Sequence, residues 1–127
     1  VDGLLAVVRP LCLALPEAHE ERAWRGVRWR IRTRTFAHLL PIEGGHPPAY
    51  ARAAGTDGPA TVLTFHSAGA ELAALQHSGP RFFDAPWGPQ IVGMVLDPGP
   101  EVDPGELTEL LTESYRLLAP RKLAERV

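Results

Sequence analysis

The stretch RGVRWRIRTRTF, Arg25–Phe36, carries five arginines, and from Arg28 onward they alternate with other side chains. Guanidinium groups suit bidentate contact with phosphate and carboxylate oxygens, so the run is either a phosphate-binding surface or the wet side of a strand. On an extended chain Arg28 and Arg30 stand about 7 Å apart on one face, close to the spacing of adjacent phosphates along a nucleic-acid strand. Arg32 and Arg34 at a turn tip would project further, and Arg22 and Arg25 would extend the patch. Such contacts hold a protein on a duplex without reading its sequence. The competing reading pairs these arginines with Glu20, Glu21 or an acidic terminal helix and assigns them to solubility.

Other constellations are thinner. Trp24, Trp29, Trp87, Phe82 and Phe83 could stack on bases, which requires aromatics exposed beside basic groups. Trp29 lies on the strand side opposite Arg28 and Arg30 and is expected in the core. Phe82, Phe83 and Trp87 fall in a loop punctuated by Pro and Gly, where they either plug one end of the core or form a ligand or partner patch. The histidines at 19, 38, 46, 66 and 77 lack the i, i+4 spacing of a helical zinc site. A site assembled across strands from His38 and His66 stands against ordinary structural pairing. Ser67, Ser78 and Ser114 lack the glycine-flanked nucleophile elbow, and no glycine run matches a nucleotide loop. Glu106, Glu109 and Glu113 share a helical face, but acid–base work would also need a cleft. No enzyme activity, cofactor or metal is expected. Cys12, the only cysteine, sits in LCLAL and reads as a buried thiol.

The elements that must position these residues follow from periodicity. Leu4, Leu5, Val8, Leu11, Cys12 and Leu15 recur at helical spacing from about Asp2, with a kink or restart at Pro10 and a stop at Pro16. Pro16–Arg25 reads as a polar connector with a short helical turn. From Val27 the period is two, with Val27, Trp29 and Ile31 facing one way. Continued unbroken, that strand would place Phe36 among the arginines, so a hairpin turn at Arg32–Arg34 and a second strand over Thr35–Leu40 are predicted. Pro41–Pro59 reads as loops around a short strand at Ala49–Ala53. Ala60–His66 reads as a strand. GAELAALQ, residues 69–76, reads as a small helix with Ser67 as a candidate cap, and Ser78 is a candidate cap for what lies beyond. Pro80–Gln90 is read as an aromatic loop, and IVGMVLD as a strand buried on both sides. The clearest element is the last: Asp103 caps, Pro104 takes the first helical position, and Leu107, Leu110, Leu111, Ser114 and Leu118 form one stripe before Pro120.

The 127 residues are expected to form one domain, 1–127, around one core. A net charge of -2 conceals six arginines between Arg22 and Arg34 and a run of acids from Asp97 to Glu113. No apolar run is long enough to cross a bilayer, and the amino end lacks the pattern of a secretion signal, so a cytoplasmic protein without membrane contact is expected.

The order of pieces resembles the MmcQ/YjbR family of small bacterial proteins. The likeness lies in LALPEAHEERAW (13–24), TRTFAHL (33–39), PRFFDAPWG (80–88), VGMVLD (92–97) and ELTELLTESYRLLAPRK (106–122). The resemblance implies an α+β fold in which an antiparallel β-sheet is flanked by N-terminal and C-terminal helices, in a double-wing arrangement proposed for DNA contact. It also makes Arg34 a basic position ahead of Phe36, and assigns Tyr115, Arg116 and Lys122 to a terminal motif. Thr33 stands where the family often has a glycine, and Ile91 where it commonly has an aromatic.

Together these readings predict a non-catalytic protein, monomeric or weakly homodimeric, that contacts double-stranded DNA through Arg28, Arg30, Arg32, Arg34, Arg116 and Lys122. The alternative is a protein-interaction or small-ligand module built on Phe82, Phe83 and Trp87. The DNA reading requires the guanidinium groups to gather into one uncovered cationic ridge.

Overall fold

The computed structural model of the chain describes residues 2–127. The elements run α1 (Asp2–Leu13), β1 (His19–Arg22), β2 (Val27–Ile31), β3 (Arg34–Ile42), α2 (Pro48–Ala54), β4 (Ala60–His66), α3 (Gly69–Gln76), β5 (Phe82–Asp84), β6 (Ile91–Asp97), α4 (Pro104–Leu118) and α5 (Arg121–Ala124). The strands form one antiparallel sheet of six, in the order β1-β2-β3-β4-β6-β5. This is the expected α+β architecture with terminal helices.

The main core lies between one face of the sheet and the pair α1 and α4. Val8 and Cys12 of α1 meet Trp29, Ile31, Leu39, Leu63, Phe65, Val92 and Met94 of the strands and Leu107, Leu111 and Tyr115 of α4. α1 remains one helix through Pro10, whose carbonyl accepts from the Ala14 amide at 3.1 Å. Trp29 is fully buried, and its indole N–H needs a partner there, since a buried unpaired donor costs about 1–3 kcal/mol. Glu20 supplies it, accepting from Trp29 Nε1 at 2.9 Å and from Arg9 Nε at 2.8 Å. Arg9, the single charge in the apolar stretch Leu4–Leu15, thereby anchors α1 to β1.

A second cluster lies on the opposite face, where α2 covers Leu40, Ile42, Ala60 and Val62 through Ala51 and Tyr50. Phe83 joins it by lying flat on Gly93, where even a Cβ would meet its ring at 2.0 Å. α2 replaces the strand expected at Ala49–Ala53. Pro48 opens this helix and Gly55 closes it in the left-handed conformation at φ 73, so residue types that interrupt strands are here the boundaries of a helix.

Two further elements depart from expectation. The polar connector Pro16–Arg25 contains β1, an edge strand whose His-Glu-Glu-Arg sequence has no strand-like apolar alternation. The aromatic loop contains β5, the opposite edge. Edge strands gain their order from pairing with a neighbour, which local composition does not encode. Ser67 is not the α3 cap, because Ala68 holds that position; its hydroxyl donates to Glu71 Oε1 at 2.6 Å. Ser78 precedes no helix and donates to the Ala74 carbonyl. Asp103 caps α4 as expected, accepting from the Gly105 amide at 2.9 Å.

The phase problem at Phe36 is solved at two places. The hairpin turns at Arg32–Thr33, with Arg32 at φ 57, and Ile31 pairs with Arg34. The ladder then slips: Arg30 pairs with Thr35 and Trp29 with Ala37, leaving Phe36 as an extra residue without a β2 partner. Phe36 turns into the helical core, edge-on to Tyr115 at 5.6 Å. On its other side β3 pairs with β4 only from Ala37–Phe65, and Ser114 of α4 occupies the next rung. Its hydroxyl donates to the Phe36 carbonyl at 2.6 Å and accepts from the His66 amide at 2.9 Å.

Ser114→Ala is therefore expected to leave a buried carbonyl and a buried amide unpaired and to cost about 2–4 kcal/mol. Urea denaturation should register this as a lower midpoint with an unchanged slope.

Candidate functional site

The register sorts the arginines. Arg28 and Arg30 of β2 lie on the face away from α1 and α4, as the period of two requires. Both bind one carboxylate on β1: Glu21 accepts from Arg28 at 3.2 Å and from Arg30 at 3.3 Å. Arg28, then Arg30, holds that carboxyl below its ordinary range. Arg32 pairs with Glu17 at 3.4 Å. Arg34 pairs with Ile31 and borders the outer turns of α4 beside Leu117 and Leu118, because the slip at Phe36 reverses the phase of β3. Arg116 belongs to α4, pairing with Glu113 and donating to the main-chain oxygen of Val127; Lys122 is exposed on α5. The predicted single ridge is thus divided between the two sheet faces and the helical layer, and four of its six members, Arg28, Arg30, Arg32 and Arg116, have carboxylate partners. Those partners come chiefly from β1 and the loop before it, and only for Arg116 from the terminal helix.

The patch predicted from Phe82, Phe83 and Trp87 also divides. Neighbouring residues of a strand face opposite ways, so Phe82 packs on the helical core and Phe83 on the α2 cluster. The guanidinium of Arg81 lies 4.8 Å over the Phe82 ring and is held by Glu106 at 2.9 Å. Trp87 alone remains 42% exposed.

What the fold assembles instead is a cleft of about 230 Å³ on the open part of the sheet. Thr35 and His38 of β3, Thr64 and His66 of β4, and Ile91 of β6 contribute to it, with Arg28 on the β2 side. Among the aromatics that line it are Trp24 from the β1–β2 turn, Tyr50 from α2 and Trp87 from the loop after β5; Phe36 and Phe65, buried in the core, border it as well. Trp87 and Tyr50 have ring centroids 4.4 Å apart at a tilt of 49°. Trp24 is 78% exposed, far more than is usual for so large an apolar side chain. Gly26 makes this turn possible, since it adopts φ +79 and a Cβ there would meet the Leu39 carbonyl at 2.1 Å. The cleft opens where β3 and β4 cease to pair and Ser114 takes the rung.

His38 is the best defined of the polar groups. Its Nε2 lies 2.7 Å from the Arg25 carbonyl, which only accepts, so Nε2 carries the proton and Nδ1 faces the Tyr50 hydroxyl at 3.5 Å. The contact with Arg25 fastens the Trp24 turn to β3. Burial lowers the pKa of His38 below its ordinary value, reinforced by the nearby Arg28 charge and partly opposed by the Arg25 hydrogen bond. Burial, followed by Arg34, likewise lowers that of His66. Burial pushes the Cys12 thiol well up, in keeping with its expected role as an inert core side chain.

Across residues 13–117 the chain matches the family model for YjbR. The chain belongs to the YjbR family. Comparison with curated proteins gave no match. The matched span covers the sheet and nearly all of α4, and with them every residue that lines the cleft. Among the described residues no helix is long and apolar enough to cross a membrane.

Sequence reasoning weighed a cross-strand site from His38 and His66 and named Trp24 and Trp87 as stacking candidates, but missed that the two sets converge on one cleft. Tyr50 went unnoticed because its segment reads as broken strand; the PPAYARAA stretch, with proline opening a run of alanines, is the helix signal that would have found it.

Because both histidines are proton-poor when folded, the unfolded chain takes up protons first as pH falls. Their contribution to stability is complete above the ordinary value of 6.5 and is lost as pH falls through it toward the depressed folded values. The denaturation midpoint should drop between about pH 7.5 and pH 5.5, and the drop should shrink in the His38→Gln/His66→Gln double variant.

Proposed function

We propose that the protein is a non-catalytic binding module and that its site is the cleft between the β1–β2 turn, α2 and the loop after β5. The observation that carries this reading is the convergence of Trp24, Tyr50 and Trp87 with two uncharged imidazoles and Arg28 around one concavity. Binding sites are typically concave and aromatic with a few placed polar groups. Binding without catalysis is supported by His38, whose two nitrogens are both engaged, and by the cleft lining, which includes no carboxylate. The small-ligand alternative drawn from the sequence is thus retained, with Trp87 kept and Phe82 and Phe83 replaced by Trp24 and Tyr50.

One observation favours nucleic acid as a second reading. Arg22 and Arg25 flank the exposed Trp24 and have no carboxylate within ion-pair distance among the described residues. A stacking side chain between two free guanidinium groups suits a phosphate-bearing strand.

Ligand-observed NMR with a mixture of small aromatic compounds tests the first reading. Saturable binders should appear with the intact protein and be lost with Trp87→Ala; a mixture from which nothing binds counts against the cleft. For the second, anisotropy with labelled DNA at low salt should show affinity falling at least about tenfold in Arg22→Gln/Arg25→Gln, together with a shallower salt dependence. Failure of the intact protein to bind DNA at low salt rejects it.

A further inference from the structure

The aromatic groups of the cleft and its single charged group define the chemistry it fits. Its size decides the scale: about 230 Å³ lies below the roughly 300–1,000 Å³ typical of drug-sized ligands, which leaves room for one ring and a substituent. The Trp87–Tyr50 pair and the exposed Trp24 offer planar surfaces to such a ring. The charge decides the sign. Arg28 is the only charged side chain in the lining, so the charge presented to a ligand there is positive, although Glu21, outside the lining, pairs with it. Arg28 is also only partly engaged: one of its terminal nitrogens is held by Glu21, and its side chain keeps 38% of its surface exposed. Thr35 and Thr64 supply further hydroxyl donors around the same concavity, the Tyr50 hydroxyl being turned to His38.

We propose that the cleft takes a small planar aromatic acid, its ring against Trp87 and Tyr50 and its carboxylate drawn to the Arg28 guanidinium. This rests on the reading of the cleft as a binding site and assigns the ligand class. Glu21 is then an internal competitor, because it neutralises the charge the ligand must use.

Calorimetric titration of the intact protein with benzoate, benzamide and cyclohexanecarboxylate tests the assignment. Benzoate should bind saturably, at least about tenfold tighter than either of the others, since an added charge-assisted hydrogen bond is worth that factor or more. Arg28→Gln should abolish the preference for benzoate over benzamide. Should that variant fail to fold by circular dichroism, Arg28→Lys, which keeps the charge but lacks the planar guanidinium fork, should reduce the preference. Glu21→Gln should raise benzoate affinity several-fold, an effect that a purely structural role for the pair would not give. Equal binding of benzamide overturns the anionic part, and equal binding of cyclohexanecarboxylate overturns the aromatic part; in both cases the cleft survives as a site. No binding of any of the three at millimolar concentration overturns the assigned class, whereas failure of the broader NMR mixture overturns the cleft itself.

Discussion

Antiparallel strands tolerate one extra residue only if its freed backbone groups find partners, and at Phe36 that condition is met from outside the sheet. The ladder slips there on the β2 side and stops on the β4 side. Ser114, from a helix 78 positions further along the chain, bridges the open rung by donating to Phe36 and accepting from His66. The slip lets Phe36 enter the helical core while Thr35 and His38 stay on the other face, and it carries Arg34 away from Arg28 and Arg30. The same parting of β3 and β4 leaves the depression that becomes the cleft. One hydroxyl thus joins the packing of α4 to the shape of the opposite surface.

Electrostatics follow from the same register. An arginine run with no acid between its members suggests a strong local field, but pairing brings Glu21 of β1 directly opposite Arg28. A carboxylate shared by two guanidinium groups reduces the potential that either presents to a distant phosphate, while leaving Arg28 able to engage a ligand at close range. This balance supports the proposed small-molecule reading over a docked duplex. It leaves Arg22 and Arg25, at the turn beside Trp24, as the part of the arginine set best placed for phosphate.

Much of the scaffold was legible locally. The stripe through Leu107, Leu111 and Leu118 and the Asp103-Pro104 start identified α4 because helical burial and capping both repeat within a few residues. Trp29 was assigned to the core by alternation alone. The errors fell where order comes from a neighbour: β1 and β5 are edge strands, and α2 is a short helix whose prolines and glycine look like breaks until its ends are known. Of the cleft, the individual indoles and imidazoles could be named, but their meeting point could not, because Trp24, His38, Tyr50, His66 and Trp87 come from five separate segments.

By itself the sequence determined the α+β class, the strand over Val27–Ile31, the inert Cys12 and the need for a phase change before Phe36, since each depends on the spacing of neighbouring side chains. Tertiary structure decided which carboxylate each arginine meets, which face Arg34 takes and where the aromatics converge. These depend on strand register, where a slip of one residue exchanges the two faces of a sheet, and register here is set by a contact between residues far apart in the chain.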